Sequence, residues 1–215
     1  MIVKVCGVRT AEVAEAAVEA GADWIGIVLE PRSVRFASDG EARTVAAAVA
    51  GRASLVGVMV GLAAPLWEEA AERYRLDALQ LHGDVDREEA ALAPVPVIRA
   101  INVGTAEQAF TLDWWPDSLV LLDAAPATAD ALPGGTGRRV DLDVAAEVAL
   151  RRRIVLAGGL GPATVAEAVS RVRPAGVDAS SGLETAPGEK STGLVWAFVT
   201  AARAAEGRWE ATAGR

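Results

Sequence analysis

The chain has one cysteine, one histidine and two lysines in 215 residues. A single cysteine rules out an internal disulfide and fits a reducing compartment. No cluster of His, Cys, Asp or Glu has the spacing of metal ligands, so no metal is expected. No stretch approaches the ~20 consecutive apolar residues that span a bilayer. The opening residues also lack the basic start and apolar run of a secretory signal, and a cytoplasmic location is expected. A formal net charge of −8 disfavours nucleic acid and anionic membrane surfaces as partners. The scarcity of lysine beside arginine reads as a nucleotide-composition habit of the source.

An apolar fraction of 52 % supplies a substantial core. It is laid out as short β-branched runs alternating with alanine-rich amphipathic stretches. Strands are expected at 2–6, 24–29, 55–60, 78–82, 97–101, 119–123, 154–157 and 176–180. Helices are expected at about 11–20, 39–51, 65–74, 86–92, 105–112, 142–150, 162–172 and 192–205. Thr10 is a candidate N-cap for the first helix and Gly21 its stop. Strands that are apolar for five or six residues in a row are buried on both faces, as in a parallel sheet. Eight βα units without a linker-like break imply an α/β chain with one domain over 1–206, a compact (β/α)8 TIM barrel. The tail at 207–215 is expected to fray. A doubly wound open sheet is the rival, but no Gly-x-Gly-x-x-Gly follows the first strand.

In such a barrel, functional residues belong at the C-terminal ends of the strands and in the loops after them. The odd polar residues fall there: Cys6, Arg35, His82, Asp123, Gly158-Gly159, Asp178 and Ser180-Ser181-Gly182. Lys4 and Cys6 share a face of the first strand, about 6–7 Å apart along it. Lys4 is therefore expected to lower the Cys6 pKa and enrich the thiolate. The competing reading of Cys6 is a core residue. The small, donor-rich loops after strands seven and eight suit phosphate, with Gly158, Gly159, Ser180, Ser181 and Gly182 as binding residues. Gly134-Gly135-Thr136-Gly137 lacks the ending of a P-loop and reads as a lid or as a turn that places Asp141. Asp141 itself is either an N-cap or a general acid or base. His82 reads as a substrate contact or a satisfied strand end.

Several motifs recur in order at fitting places. They are Lys4-Val5-Cys6-Gly7, Pro31-Arg32-Ser33-Val34-Arg35, Gln80-Leu81-His82-Gly83, and Gly134–Gly137 with Asp141. Leu156–Leu160, Val177–Glu184 and Pro187–Lys190 complete the set. Over about residues 2–204 the chain resembles the phosphoribosylanthranilate isomerase family of tryptophan biosynthesis. The resemblance implies an Amadori rearrangement of a phosphosugar-anthranilate, with Asp141 as general acid, Cys6 as general base and no cofactor. It also implies that Arg35 faces the anthranilate carboxylate and that Asp178 sits near the substrate nitrogen. The partner expected is this small molecule, and the chain is expected to act as a monomer or homodimer. The chain departs from the family around the acid, where Val140 and Leu142 replace aromatic residues, and at Val34, where a proline is usual. A related barrel isomerase acting on an aminoribotide and a non-catalytic phosphosugar binder are the alternatives.

Overall fold

The computed structural model describes residues 1–61, 64–103, 119–124 and 140–213, with side chains up to Arg208. The strands are β1 (Ile2–Cys6), β2 (Trp24–Val28), β3 (Ser54–Val60), β4 (Ala78–His82), β5 (Val97–Val103), β6 (Leu119–Ala124), β7 (Ile154–Leu156) and β8 (Gly176–Ala179). They close in sequence order into a barrel whose neighbouring strands all pair in parallel. The described helices are α1 (Ala11–Ala20), α2 (Asp39–Val49), α3 (Ala64–Tyr74), α4 (Arg87–Ala91), α5 (Leu142–Ala149), α6 (Val165–Val172) and α7 (Thr192–Ala213). The expected helix at 105–112 and the Gly134–Gly137 turn lie outside the described residues.

Alternation along the strands sorts the core into two layers. Val56, Ala78, Ile98, Ala100, Leu121 and Val155 fill the barrel interior. The opposite faces, including Val3, Val5, Ile25, Ile27, Leu79 and Leu122, join the residues that the helices turn inward. The same alternation carries Lys4 and Cys6 on β1, Gln80 and His82 on β4, and Asp123 on β6 toward the axis. A side chain at the C-terminal end of an inward row therefore ends at the mouth of the cylinder.

Local signals explain most helix boundaries. Thr10 caps α1 by accepting from the Val13 N–H, and Gly21 closes it in a left-handed conformation. Ser38 and Glu41 form a reciprocal capping box on α2. Two expected boundaries are corrected. The helix expected from 162 begins at Val165, because a turn closes first: the Gly161 N–H donates to Thr164 Oγ1 at 3.0 Å. The last helix, expected to stop near 205, continues through Gly207 to Ala213. One glycine costs a helix only about 1 kcal/mol, too little to end an otherwise alanine-rich run.

An unexpected hairpin follows β8. After a 3-10 turn at Ser181–Leu183, β9 (Glu184–Ala186) and β10 (Glu189–Lys190) pair antiparallel.

Candidate functional site

A cavity of about 260 Å³ opens at the C-terminal mouth of the barrel. Cys6, Val28, Val58, His82, Asp123, Ala157 and Ser180 line it from the C-terminal ends of β1–β4 and β6 and from just after β7 and β8, and Arg32 and Arg35 line it from the loop after β2. Of the residues expected from sequence, Cys6, Arg35, His82, Gly158, Gly159, Asp178, Ser180 and Ser181 all border this space.

Two expected residues do not. Gly182 stands behind the wall, where the loops after β7 and β8 meet backbone to backbone. A Cβ on Gly182 would lie 2.1 Å from the Leu160 carbonyl oxygen, so only glycine lets the two loops touch. Asp141 is the larger correction. It is exposed at the start of α5, and its Oδ1 accepts from the Asp143 and Val144 N–H groups at 2.8 and 3.4 Å. Of its two sequence readings, the capping one prevails. The orphan N–H groups of the helix take up its carboxylate.

Three carboxyls line the cavity: Glu30 is paired with Arg32, Asp178 with Lys4, and the third is Asp123. Burial raises its pKa to about 6, opposed by the hydrogen bond from the Ala124 N–H at 2.7 Å and reinforced by the nearby Asp178 carboxylate. In the sequence Asp123 stands out as an odd polar residue at a strand end, with no role attached. The missed signal was strand phase, since Leu119, Leu121 and Asp123 share one face, and the inward row of β6 must end on Asp123.

Below Cys6, Lys4 is fully buried and its Nζ donates to Asp178 Oδ1 at 3.0 Å. Burial would push the Lys4 ammonium down, but the charges of Asp178 and Cys6 outweigh it and hold its pKa above the usual value. For Cys6 the balance falls the other way. Burial pushes the thiol up, and the pull of Lys4, and more weakly of Lys190, does not offset it. Lys4 does pull the Cys6 pKa down, as expected, but the expected enrichment in thiolate is corrected: desolvation of a thiolate costs more here than the ammonium returns. The chain's only two lysines both act on this sulfur. Gly26 on the neighbouring strand keeps room for the group, since a Cβ there would lie 2.9 Å from Cys6 Sγ and 3.2 Å from Lys4 Nζ.

His82 is nearly fully buried. Burial, with Lys4 and Arg99 nearby, drives its pKa down to about 3, so its ring is neutral at physiological pH. Its Nε2 lies 2.8 Å from Gln80 Nε2. Arg35 is gripped by Glu184 in a fork: Nε donates to Oε1 at 2.7 Å and Nη2 to Oε2 at 2.9 Å. Lys190 Nζ shares Glu184 Oε1 at 2.8 Å. This cluster was not foreseen, because Arg35 comes from the loop after β2 and its partners Glu184 and Lys190 from the hairpin after β8.

Residues 3–201 match the family model described as N-(5'-phosphoribosyl)anthranilate (PRA) isomerase. The N-(5'-phosphoribosyl)anthranilate isomerase of Azorhizobium caulinodans is 41 % identical over 95 % of this chain and 92 % of its own. That of Roseiflexus castenholzii is 42 % identical over 95 % and 99 %. Among solved structures, the phosphoribosylanthranilate isomerase of Thermotoga maritima superposes with a TM-score of 0.85 at 32 % identity, covering 95 % of this chain and all of that one. A second, in complex with reduced 1-(o-carboxyphenylamino)-1-deoxyribulose 5-phosphate, gives 0.83 at 31 % over the same shares. Barrel, cavity and kinship agree, and the chain belongs to the N-(5'-phosphoribosyl)anthranilate isomerase family of tryptophan biosynthesis.

Proposed function

We propose that the cavity converts N-(5-phospho-β-D-ribosyl)anthranilate into 1-(2-carboxyphenylamino)-1-deoxy-D-ribulose 5-phosphate, with Asp123 as general acid and Cys6 as general base. The observation that carries this reading is the pairing of the two groups in one enclosed space. Asp123 is a carboxyl whose neutral form is favoured by burial, and Cys6 is a thiol beside two ammonium groups.

In the first step Asp123 donates its proton to the furanose ring oxygen. The bond from C1′ to that oxygen breaks, and the anthranilate nitrogen lone pair forms the C1′=N bond of a protonated Schiff base. The Cys6 thiolate then takes the proton from C2′. The C–H electrons become the C1′=C2′ bond, and the iminium is neutralised to an enolamine, which tautomerises to the ketone. The proton given to the ring oxygen and the proton taken from C2′ are the transfers at which a positioned acid and base contribute most.

The rest of the wall suits the substrate's two ends. The glycine-bearing loops after β7 and β8 supply backbone N–H groups to the phosphate. Arg35, held in the wall by Glu184, is assigned to the anthranilate carboxylate, whose planar geometry a guanidinium matches. Asp178 is assigned to the region of the substrate nitrogen. The solved relative with the reduced ribulose 5-phosphate compound supports a ligand of this class.

The test is the decay of phosphoribosylanthranilate fluorescence when purified protein is added without metal. Decay to the ribulose product is expected. Turnover confined to the aminoribotide of histidine biosynthesis, or no turnover of either compound, would reject the reading.

A further inference from the structure

Ser180 stands where a phosphate ligand is expected, yet its hydroxyl is already committed elsewhere. The ladder between β1 and β8 runs from Ile2↔Gly176 to Val5↔Ala179 and stops. Ser180 then leaves strand geometry, at φ −127° and ψ −84°. In place of the next rung, Ser180 Oγ donates to the Cys6 carbonyl oxygen at 3.1 Å. From the other side, Lys190 Nζ donates to the Ser180 carbonyl at 3.3 Å and to Glu184 at 2.8 Å. The Lys190 and Glu184 side chains are only 2 % and 5 % exposed.

A serine hydroxyl has one hydrogen to give and otherwise only lone pairs. With that hydrogen on the Cys6 carbonyl, the oxygen turns lone pairs toward any anion in the cavity. A phosphate, itself a pure acceptor when ionised, gains nothing from it. We infer that Ser180 is a positioning residue for Cys6: its hydroxyl extends the β1–β8 ladder by one rung and fixes the backbone that carries the sulfur, while Lys190 holds Ser180 in register. The phosphate is then served by backbone N–H groups of the two loops and not by this side chain. The inference rests on the isomerase reading above and corrects the part that sequence assigned to Ser180.

The physical consequence is a split between chemistry and binding. A base displaced by a fraction of an ångström loses rate while ground-state contacts survive. Ser180→Ala should lower kcat about tenfold and leave the Kd of reduced 1-(o-carboxyphenylamino)-1-deoxyribulose 5-phosphate, measured by calorimetry, within about twofold. Ser180→Thr, which keeps the donor, should restore kcat to within about threefold of wild type. Ser180→Gly, which removes the same hydroxyl at a position already outside strand geometry, should show the same split, and it carries the test should Ser180→Ala not fold. A tenfold weaker Kd with kcat unchanged would make the hydroxyl a phosphate ligand and overturn the inference. Unchanged kcat and Kd in Ser180→Ala, or in Ser180→Gly where Ser180→Ala does not fold, would also overturn it, by showing the rung to be idle. An inactive wild-type protein would overturn the isomerase reading and this inference with it.

Discussion

Lys4 and Asp178 form an ion pair at 3.0 Å inside the barrel, on neighbouring strands and in direct register. The Lys4 side chain has no exposure and that of Asp178 only 7 %. Charges taken this far from water are tolerated only as a pair, and losing one partner strands the other. Lys4→Met and Asp178→Asn should each lower the unfolding free energy by about 3–5 kcal/mol. The double variant should lose much less than the sum. Urea unfolding of the three proteins measures the coupling, and strictly additive losses would show that the pair does not act as a unit.

Asp123 and Asp141 are separated by the same kind of experiment. Cys6→Ala and Asp123→Asn should each reduce kcat by at least about 10²-fold, the scale of a lost general base or acid. Asp141→Ala should leave kcat within a few fold and cost about 1 kcal/mol of stability, the usual effect of removing an N-cap. Steady-state rates beside denaturation midpoints decide the matter. A 10²-fold loss at Asp141 with Asp123→Asn still active would return the acid to Asp141.

The pH dependence follows from the directions in which the two groups are pushed. In the proposed mechanism the working form carries a thiolate at Cys6 and a neutral carboxyl at Asp123. Below the Asp123 value of about 6 the carboxyl is already protonated. Each further drop of one pH unit then removes thiolate about tenfold. Between that value and the Cys6 pKa, held above the usual thiol range, thiolate rises as fast as the neutral carboxyl falls. Above the Cys6 pKa only the carboxyl still changes, and activity drops. The profile of kcat/KM should be flat from about pH 6 to beyond the usual thiol pKa, with its acid limb at the Asp123 value. A rate that declines steadily from pH 6 upward would mean that no thiolate is needed.

How far such a site can be read from sequence depends on the range of the forces that build it. The barrel was legible because its strands are continuous apolar runs and its first helix start is marked by Thr10. The rim was legible because a closed parallel barrel sends inward rows to one mouth, which placed Cys6, His82 and Asp178 correctly. The choice between Asp123 and Asp141 needed strand phase, and motif likeness around the second aspartate masked it. The direction in which the Cys6 pKa moves needed burial, which Lys4 beside it in sequence does not reveal. The Arg35–Glu184 fork joins residues 149 apart, and no local pattern marks either as the other's partner.

Asp123 also makes stability depend on pH, with a sign opposite to that of an ordinary surface carboxylate. Its folded pKa is about 6 against a usual 3.8, so the fold penalises the charged form. The resulting stability is fully present below about pH 3.8 and is lost as pH rises through 6, where the buried carboxyl must ionise. The loss on reaching pH 8 is about 3 kcal/mol, since a tenfold difference in proton affinity between folded and unfolded chains is worth about 1.36 kcal/mol. Asp123→Asn keeps the shape and an oxygen to accept from the Ala124 N–H but cannot ionise. Its stability relative to wild type should therefore grow by about 3 kcal/mol between about pH 4 and pH 8, while its isomerase rate collapses. Urea unfolding at the two pH values measures the difference. An advantage that is the same at both, or larger under the acid condition, would show that the Asp123 carboxyl ionises in the fold as freely as in water.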